Sequence, residues 1–218
     1  MYVRLVRLAF ALAFAGIFAG TPFQVTAQNS EGEQRESILL VAAQHLHDPN
    51  FGQSVVLVMF PPDAGPSGVI LNRPTSMTLR DIWEEPEKRH GRTDALYIGG
   101  PVQPDGLLFL FRMTPPPVRA WRATEDIYFS GDGELLKQLL AQTDSAKAQR
   151  FFAGYSGWAK GQLEHEVSRG DWHVLKVDPE IIYDTEAETL WERMYQRATL
   201  LRVDRPLRGR GPDRIAYH

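Results

Sequence analysis

The 218-residue sequence contains no cysteine. This absence excludes disulfide bonds, thiolate zinc sites, cysteine nucleophiles and a lipidated N-terminal cysteine. No excess of one charge stands out either, because 24 basic and 27 acidic side chains give a formal net charge of −3. A polycation that coats nucleic acid is therefore excluded. The phosphate-binding patterns G-x-x-x-x-G-K-[ST] and G-x-G-x-x-G are also missing, so no nucleotide site and no cofactor are predicted.

The first 27 residues differ in composition from the rest of the chain. Arg4 and Arg7 precede an uncharged, mostly apolar segment at 8–20, and small residues at 25–27 precede Gln28. This order is typical of a secretory signal peptide (1–27) that is cleaved before residue 28. An uncleaved anchor is the alternative, but the apolar stretch is shorter than the roughly 20 residues that a spanning helix needs. We therefore expect an exported, periplasmic protein with no stable membrane span after cleavage; a cytoplasmic location is the alternative.

The rest of the chain divides into three segments. Residues 28–36 are polar and predict a flexible leader, and residues 202–218 carry five arginines and predict a basic, flexible tail. Residues 37–201 are long enough for one domain with its own core. Without residues 1–27 the chain has 22 basic and 27 acidic side chains, a net charge of −5. Because this charge is negative and no helix-turn-helix pattern is recognisable, direct DNA binding is not expected.

Short apolar runs dominate the first half of the domain. Continuous runs of this length are typical of strands covered on both faces, and they occupy residues 38–43, 55–60, 69–71 and 107–111. Several links between them are too short for a crossover helix, which predicts antiparallel or mixed pairing. Two further strands are predicted at 150–155 and 172–177.

Helical periodicity appears later in the chain. A stripe of four leucines predicts a helix over 132–142, and a short helix is predicted around 162–168. Thr185 and Glu188 form the capping-box pattern of a third helix. The predicted fold class is therefore α+β: a single compact domain with a mixed β-sheet and flanking helices.

Two polar segments directly follow predicted strands. Asp48 and Asn50 flank a proline, which predicts an Asx-type turn with Phe51 packed beneath it. This structural interpretation is favoured over a catalytic role for Asp48. Asn72 and Arg73 end the third apolar run, where Arg73 either pairs with a carboxylate or holds an anionic ligand through bidentate hydrogen bonds. Both interpretations of Arg73 are kept.

A third polar segment spans residues 154–166. Its Gly-Tyr-Ser-Gly-Trp stretch has Trp158 where the G-x-S-x-G nucleophile elbow needs a second glycine, so no nucleophilic serine is predicted. On a helix, Gln162 and Glu166 share a face, whereas Glu164 and Glu166 lie about 200° apart and do not converge as an acid/base pair. We predict no catalytic residue and treat the polar members of these segments as a candidate shared surface or cleft: Asp48, Asn50, Asn72, Arg73, Tyr155, Gln162 and Glu164.

Two other features have competing interpretations. His45 and His47 share a face in an extended segment and could begin a zinc or copper site with Asp48, but no third ligand follows from local spacing. A surface pair is favoured and no metal site is predicted. Gly99 and Gly100 permit close backbone approach, either for packing or for a ligand.

Five blocks of this sequence, in order, resemble the AlgH/YqgE family of bacterial proteins. They are residues 47–51 with 54–57, 68–74, 97–102, 154–158 with 161–166, and Trp172. The resemblance implies a compact α+β domain with a mixed sheet, no established reaction and no agreed catalytic residues. Family members are often labelled as transcriptional regulators and are usually cytoplasmic. This sequence departs from the family in its signal peptide and in Phe111, which replaces a histidine common at that place.

The expected function is that of an exported, non-enzymatic binding or regulatory protein of the AlgH/YqgE type. Its partner is an unknown protein or small molecule of the cell envelope. A cytoplasmic transcriptional regulator is the first alternative, and a hydrolase with a polar cleft is the second.

Overall fold

The computed structural model of the chain describes residues 35–62, 64–82, 94–141 and 149–203. The predicted signal peptide, most of the predicted leader and the predicted tail beyond residue 203 lie outside these residues. No helix in the described ranges is long and apolar enough to cross a membrane.

The described residues form ten strands and five helices. In chain order they are β1 (Ile38–Ala42), β2 (Val55–Met59), β3 (Ser67–Ile70), β4 (Pro74–Thr78), α1 (Leu79–Ile82), β5 (Ala95–Ile98), β6 (Val102–Arg112), β7 (Trp121–Arg122), β8 (Ile127–Ser130), α2 (Gly133–Ala141), β9 (Gln149–Gly157), α3 (Gln162–Arg169), β10 (Trp172–Lys176), α4 (Pro179–Ile182) and α5 (Ala187–Val203).

The strands form one mixed sheet in the order β10-β1-β2-β3-β9-β6-β8-β7, and β5 joins β4 to β9. The β5–β9 pair is parallel, and the other pairs are antiparallel. The predicted mixed sheet within an α+β domain is confirmed. The short links between the early strands explain the pairing, because a hairpin connection leaves no room for a crossover.

Both faces of the sheet are covered, as the continuous apolar runs predict. Every residue of β1 and β2 is buried. One face, with Leu39 and Leu57, packs against α4 and α5. The opposite face, with Leu40 and Val56, packs against α3. Farther along the sheet, α2 covers a third cluster with its leucine stripe, so the predicted amphipathic helix at 132–142 is confirmed.

The start of α5 differs from its prediction. The helix begins at Ala187, and the Glu186 N–H donates to Asp184 Oδ1 at 2.7 Å. The capping box predicted at Thr185 is therefore wrong. Asp184 lies before the helix, and its second oxygen forms an ion pair with Arg193 at 2.7 Å. The helix ends at Val203, two residues into the segment that the sequence assigned to the tail.

Gly99 and Gly100 lie where the ends of β3, β5 and β6 meet β9. A Cβ atom on Gly99 would lie 2.1 Å from the Gly154 carbonyl oxygen, and one on Gly100 would lie 2.4 Å from the Tyr155 carbonyl carbon. The Gly99 N–H donates to Ala153 O, and its carbonyl accepts from Ile70 N–H. Close backbone packing therefore accounts for both glycines without a ligand.

Candidate functional site around the Phe51 loop

The Phe51 loop, residues 48–53, connects β1 to β2. Asp48 Oδ1 accepts hydrogen bonds from the N–H groups of Asn50 at 2.8 Å and Phe51 at 3.0 Å. The Asp48 carbonyl accepts from Gly52 N–H at 2.7 Å. The predicted Asx-type turn is confirmed, and the side chain of Asn50 is exposed at its tip.

Asn72 and Arg73, which follow β3, hold this loop from its other side. Asn72 Oδ1 accepts from Val55 N–H at 2.8 Å, and Asn72 Nδ2 donates to Gln53 O at 2.9 Å. Arg73 Nη2 donates to Gly52 O at 2.9 Å, and Arg73 Nη1 donates to Pro49 O, earlier in the same loop, at 3.3 Å. Burial lowers the pKa of the Arg73 guanidinium, and the nearby Asp48 carboxylate opposes this shift. Two of the five Arg73 donors are thus engaged with loop carbonyls rather than presented to a ligand.

Phe51 connects the loop to two buried tryptophans. Its ring stacks on Trp158 at 6.2 Å between centroids and meets Trp172 edge-on at 5.7 Å. The two indoles are themselves in edge contact at 6.4 Å, and only 5% of Trp158 and 4% of Trp172 is exposed. Aromatic packing of this kind adds to the energy of burial. It joins the loop after β1 to the segments that end β9 and begin β10.

Glu166 on α3 satisfies both indole N–H groups. Trp158 Nε1 and Trp172 Nε1 each donate to Glu166 Oε2 at 2.9 Å, and Gln162 Nε2 donates to Oε1 at 2.9 Å. Gln162 Oε1 in turn accepts from Ala159 N–H. We call Trp158, Gln162, Glu166 and Trp172 the Glu166 cluster. The prediction that Gln162 and Glu166 share a helical face is confirmed.

The remaining two candidate residues lie apart from these groups. Glu164 faces Arg35, with 3.7 Å between its Oε1 and the guanidinium, and its other oxygen is buried without a hydrogen-bond partner in the described structure. Tyr155 lies on β9, partly buried against the core that α5 covers. The structure therefore brings together Asp48, Asn72 and Arg73, places Gln162 beyond Phe51, and separates Tyr155 and Glu164 from both.

Arg150 is a buried cation that the sequence did not single out. It is 5% exposed, and its guanidinium donates to Leu71 O at 2.7 Å and to Ile182 O at 2.5 Å. The guanidinium also lies over the Tyr97 ring, 3.9 Å from the centroid. Burial lowers the pKa of Arg150, while the neighbouring Tyr97 and the Asp184 carboxylate oppose that shift. The one feature of the sequence that could have indicated this buried cation is the position of Arg150 at the start of an otherwise apolar predicted strand.

The histidines form no metal centre in the described ranges. His47 Nδ1 lies 2.6 Å from the carbonyl oxygen of His45, and His45 Nε2 lies 3.8 Å from Asp171 Oδ1. No group of three or more histidine, aspartate or glutamate side chains converges there with a geometry that could hold a metal ion. A shallow, open depression of about 450 Å³ lies on α3 instead, lined by Lys160, Gly161, Gln162, His165, Glu166 and Arg169.

A family model described as AlgH-like (DUF179) matches residues 39–201, which include the Phe51 loop and the Glu166 cluster. The chain belongs to the AlgH-like family. AlgH-like relatives include a UPF0301 protein of Cytophaga hutchinsonii, 33% identical over 72% of this chain and 85% of the relative. Another, from Streptomyces coelicolor, is 36% identical over 73% of this chain and 84% of the relative. The name UPF0301 states no activity, and the biochemical function of the AlgH-like family is not established.

Two solved structures have the same fold. The solution structure of the AlgH protein from Pseudomonas aeruginosa superposes with a TM-score of 0.59 and 26% identity, covering 84% of this chain and 98% of that one. A crystal structure of a Corynebacterium diphtheriae protein has a TM-score of 0.61 and 22% identity, covering 80% and 89%. The expected AlgH/YqgE resemblance is confirmed.

Proposed function

We propose that this AlgH-like protein is a non-catalytic binding protein that acts outside the cytoplasm on a protein or small molecule of the cell envelope. The observation that carries the proposal is that three of the candidate polar side chains make their hydrogen bonds to the protein's own backbone. Asp48, Asn72 and Arg73 all bind backbone groups of the Phe51 loop. A hydrolase needs a base or nucleophile within reach of substrate, and groups engaged in this way are positioned to stabilise a loop.

The Glu166 carboxylate supports the same conclusion. Its two oxygens accept three hydrogen bonds from two indoles and one amide. A carboxylate acting as a general base must accept a proton from substrate or water, and these donors already use three of its roughly four acceptor positions. We therefore assign Glu166 a structural role, which is to hold the side chains of Trp158, Gln162 and Trp172 in place.

The location rests on the sequence of residues 1–27, which has the order of a signal peptide. Cells making the full chain should be fractionated and the intact mass of the recovered protein measured. We expect a mass beginning at Gln28 in the exported fraction. Ala27→Leu is the matched control, because a large residue before the cleavage point should leave the mass at full length. A full-length cytoplasmic species from the natural sequence would overturn export and favour the transcriptional-regulator alternative.

Binding and catalysis are separated by a turnover assay. Purified protein should be incubated with ester, peptide and phosphoester substrates, alongside the Arg73→Lys and Asp48→Asn variants. We expect no turnover above the background that all three proteins share. Turnover by the natural sequence that one of these substitutions abolishes would overturn the non-catalytic assignment and favour a hydrolase.

A further inference from the structure

Strand β10 ends the sheet and leaves one edge open. Within the described residues its one neighbouring strand is β1, and the five pairs from Ile38↔Lys176 to Ala42↔Trp172 run without a bulge. The strand contains no proline. Sheet edges in soluble proteins are commonly shortened, bulged or covered, since an open edge is a template for another strand.

The hydrogen-bond pattern of β1 identifies which groups of β10 face outward. Ala43 N–H donates to Asp171 O, whereas Ala42 N–H donates to Ser54 O on the β2 side. Because antiparallel residues alternate between bonded and non-bonded pairs, Val41 and Leu39 bond to β10 while residue 42 does not. It follows that the N–H and C=O groups of Trp172, Val174 and Lys176 point away from β1. No backbone hydrogen bond in the described structure reaches them from another segment.

An exposed apolar side chain lies at the centre of this outward set. Val174 is 36% exposed, whereas Trp172 beside it is buried under α3. Val174 lies opposite Leu40 of β1, so it is on the α3 face of the sheet. A further strand beside β10 would cover this valine and satisfy the three outward amides at once.

Two opposite charges on the same face, those of Lys176 and Glu166, complement each other between copies. Lys176 is exposed at one end of β10 and has no partner in the described chain. Glu166, bonded to the Trp172 indole at the other end, accepts only neutral donors, and neighbouring Arg169 forms its ion pair with Asp171. Opposite charges at the two ends of one strand are complementary when that strand meets itself in the antiparallel direction.

We infer that β10 pairs with β10 of a second copy of this chain, antiparallel, with the two-fold axis through Val174. In this register Val174 lies opposite Val174, and Trp172 lies opposite Lys176. Lys176 of each copy then approaches Glu166 of the other, and all outward amides of both strands are bonded. Parallel pairing would place Lys176 on Lys176, where like charges repel. Export and catalysis play no part in this inference, so it stands or falls separately from the proposed function.

The first test measures oligomeric state by size-exclusion chromatography with light scattering on protein from cells that make the full chain. We expect a dimer at about 50 µM, a monomer for Val174→Pro, and a dimer for Val174→Thr. The proline removes an outward N–H and no bond to β1, so the variant should fold, which circular dichroism checks. Lys176→Glu should also weaken the dimer at least tenfold, because it meets Glu166. A monomeric natural sequence, or a dimer that Val174→Pro leaves intact in a folded protein, overturns the inference.

The second test uses the absence of cysteine. Bonded antiparallel residues have Cα atoms about 5.5 Å apart, which suits a disulfide. Val174→Cys should therefore form a covalent dimer under mild oxidation. Because the two thiols already face each other in the dimer, the rate of disulfide formation should hardly change when the protein is diluted. Val118→Cys is the control, because Val118 is 76% exposed and lies outside β10. Equal rates for the two variants would overturn the inference, as would cross-linking of Val174→Cys that slows in proportion to dilution.

Discussion

Replacing Glu166 by alanine should destabilise the fold because it removes the acceptor of two buried indole N–H groups. Each bond is 2.9 Å long, and both tryptophans are about 95% buried. An unsatisfied buried donor costs about 1–3 kcal/mol, so we expect Glu166→Ala to lower the free energy of unfolding by about 2–5 kcal/mol. For a domain of this size that corresponds to a fall of about 5–15 °C in Tm.

Glu164→Ala is the matched control, because it makes the same change two residues away on the same helix. The carboxylate of Glu164 lies 3.7 Å from Arg35, and both side chains are substantially exposed. Such a pair contributes less than about 1 kcal/mol, and alanine is a good helix former in both variants. The Tm of Glu164→Ala should therefore fall by less than about 3 °C.

Glu166→Gln tests how much of the effect depends on the negative charge. Its one carbonyl oxygen can still accept from both indoles, but its amide nitrogen then faces Gln162 Nε2, a second donor. Flipping the Gln162 amide would repair this contact at the cost of its bond from Ala159 N–H. We expect an intermediate loss of about 1–2 kcal/mol. Urea unfolding followed by tryptophan fluorescence and circular dichroism measures all three variants. If Glu166→Ala loses no more stability than Glu164→Ala, the Glu166 cluster does not hold the tryptophans in place.

Three further substitutions test the buried interior in the same unfolding assay. Arg150→Lys should cost about 1.5–3 kcal/mol, because one ammonium cannot reproduce both bonds that the guanidinium makes to carbonyls on separate elements; a loss below about 0.5 kcal/mol would contradict this account. Tyr183→Phe should leave stability unchanged or raise it by up to about 1 kcal/mol, since the phenol is buried without a hydrogen-bond partner in the described structure and burial raises its pKa; a clear loss would show that the hydroxyl is bonded. Gly99→Ala should leave little folded protein, because its Cβ would lie 2.1 Å from a backbone oxygen; a stable variant would show that the strands can separate at that point.

The parts of the fold that were predicted are those set by local pattern. Continuous apolar runs located β1, β2 and the buried half of β6, and the leucine stripe located α2. Strands β4, β7 and β8 were missed: β4 is largely polar and half exposed, β7 has two residues, and β8 is buried but only four residues long. Strand β6 also begins earlier than predicted, at Val102, since its first residues are polar and exposed and show no apolar run. Such segments join the sheet through backbone bonds, which side-chain patterns do not record.

In the candidate site, likewise, the contacts between residues close in the sequence were predictable and those between distant residues were not. The Asx turn at Asp48 and the shared face of Gln162 and Glu166 involve residues no more than four apart, so spacing was enough. The bond from Arg150 to Leu71 joins residues 79 apart, and it depends on which strands are neighbours. No pattern within the sequence specifies that arrangement. Glu166 was missed for a related reason, since its two indole partners lie directly after β9 and at the start of β10, and only the fold brings these segments beside α3.

The sequence blocks that carry the family resemblance therefore have structural explanations of their own. Gly99 permits close backbone packing, Asp48 shapes a turn, and Trp158 and Trp172 are held by Glu166. Residues engaged in this way contribute to a rigid framework, and a resemblance built on them identifies the fold more strongly than any reaction. A binding activity must then use groups that the framework leaves free. Among the described residues, the open edge of β10 offers unbonded amides, an exposed valine and an exposed lysine; in the dimer that we infer these groups bind a second copy of the chain, so a further partner must bind elsewhere on the surface.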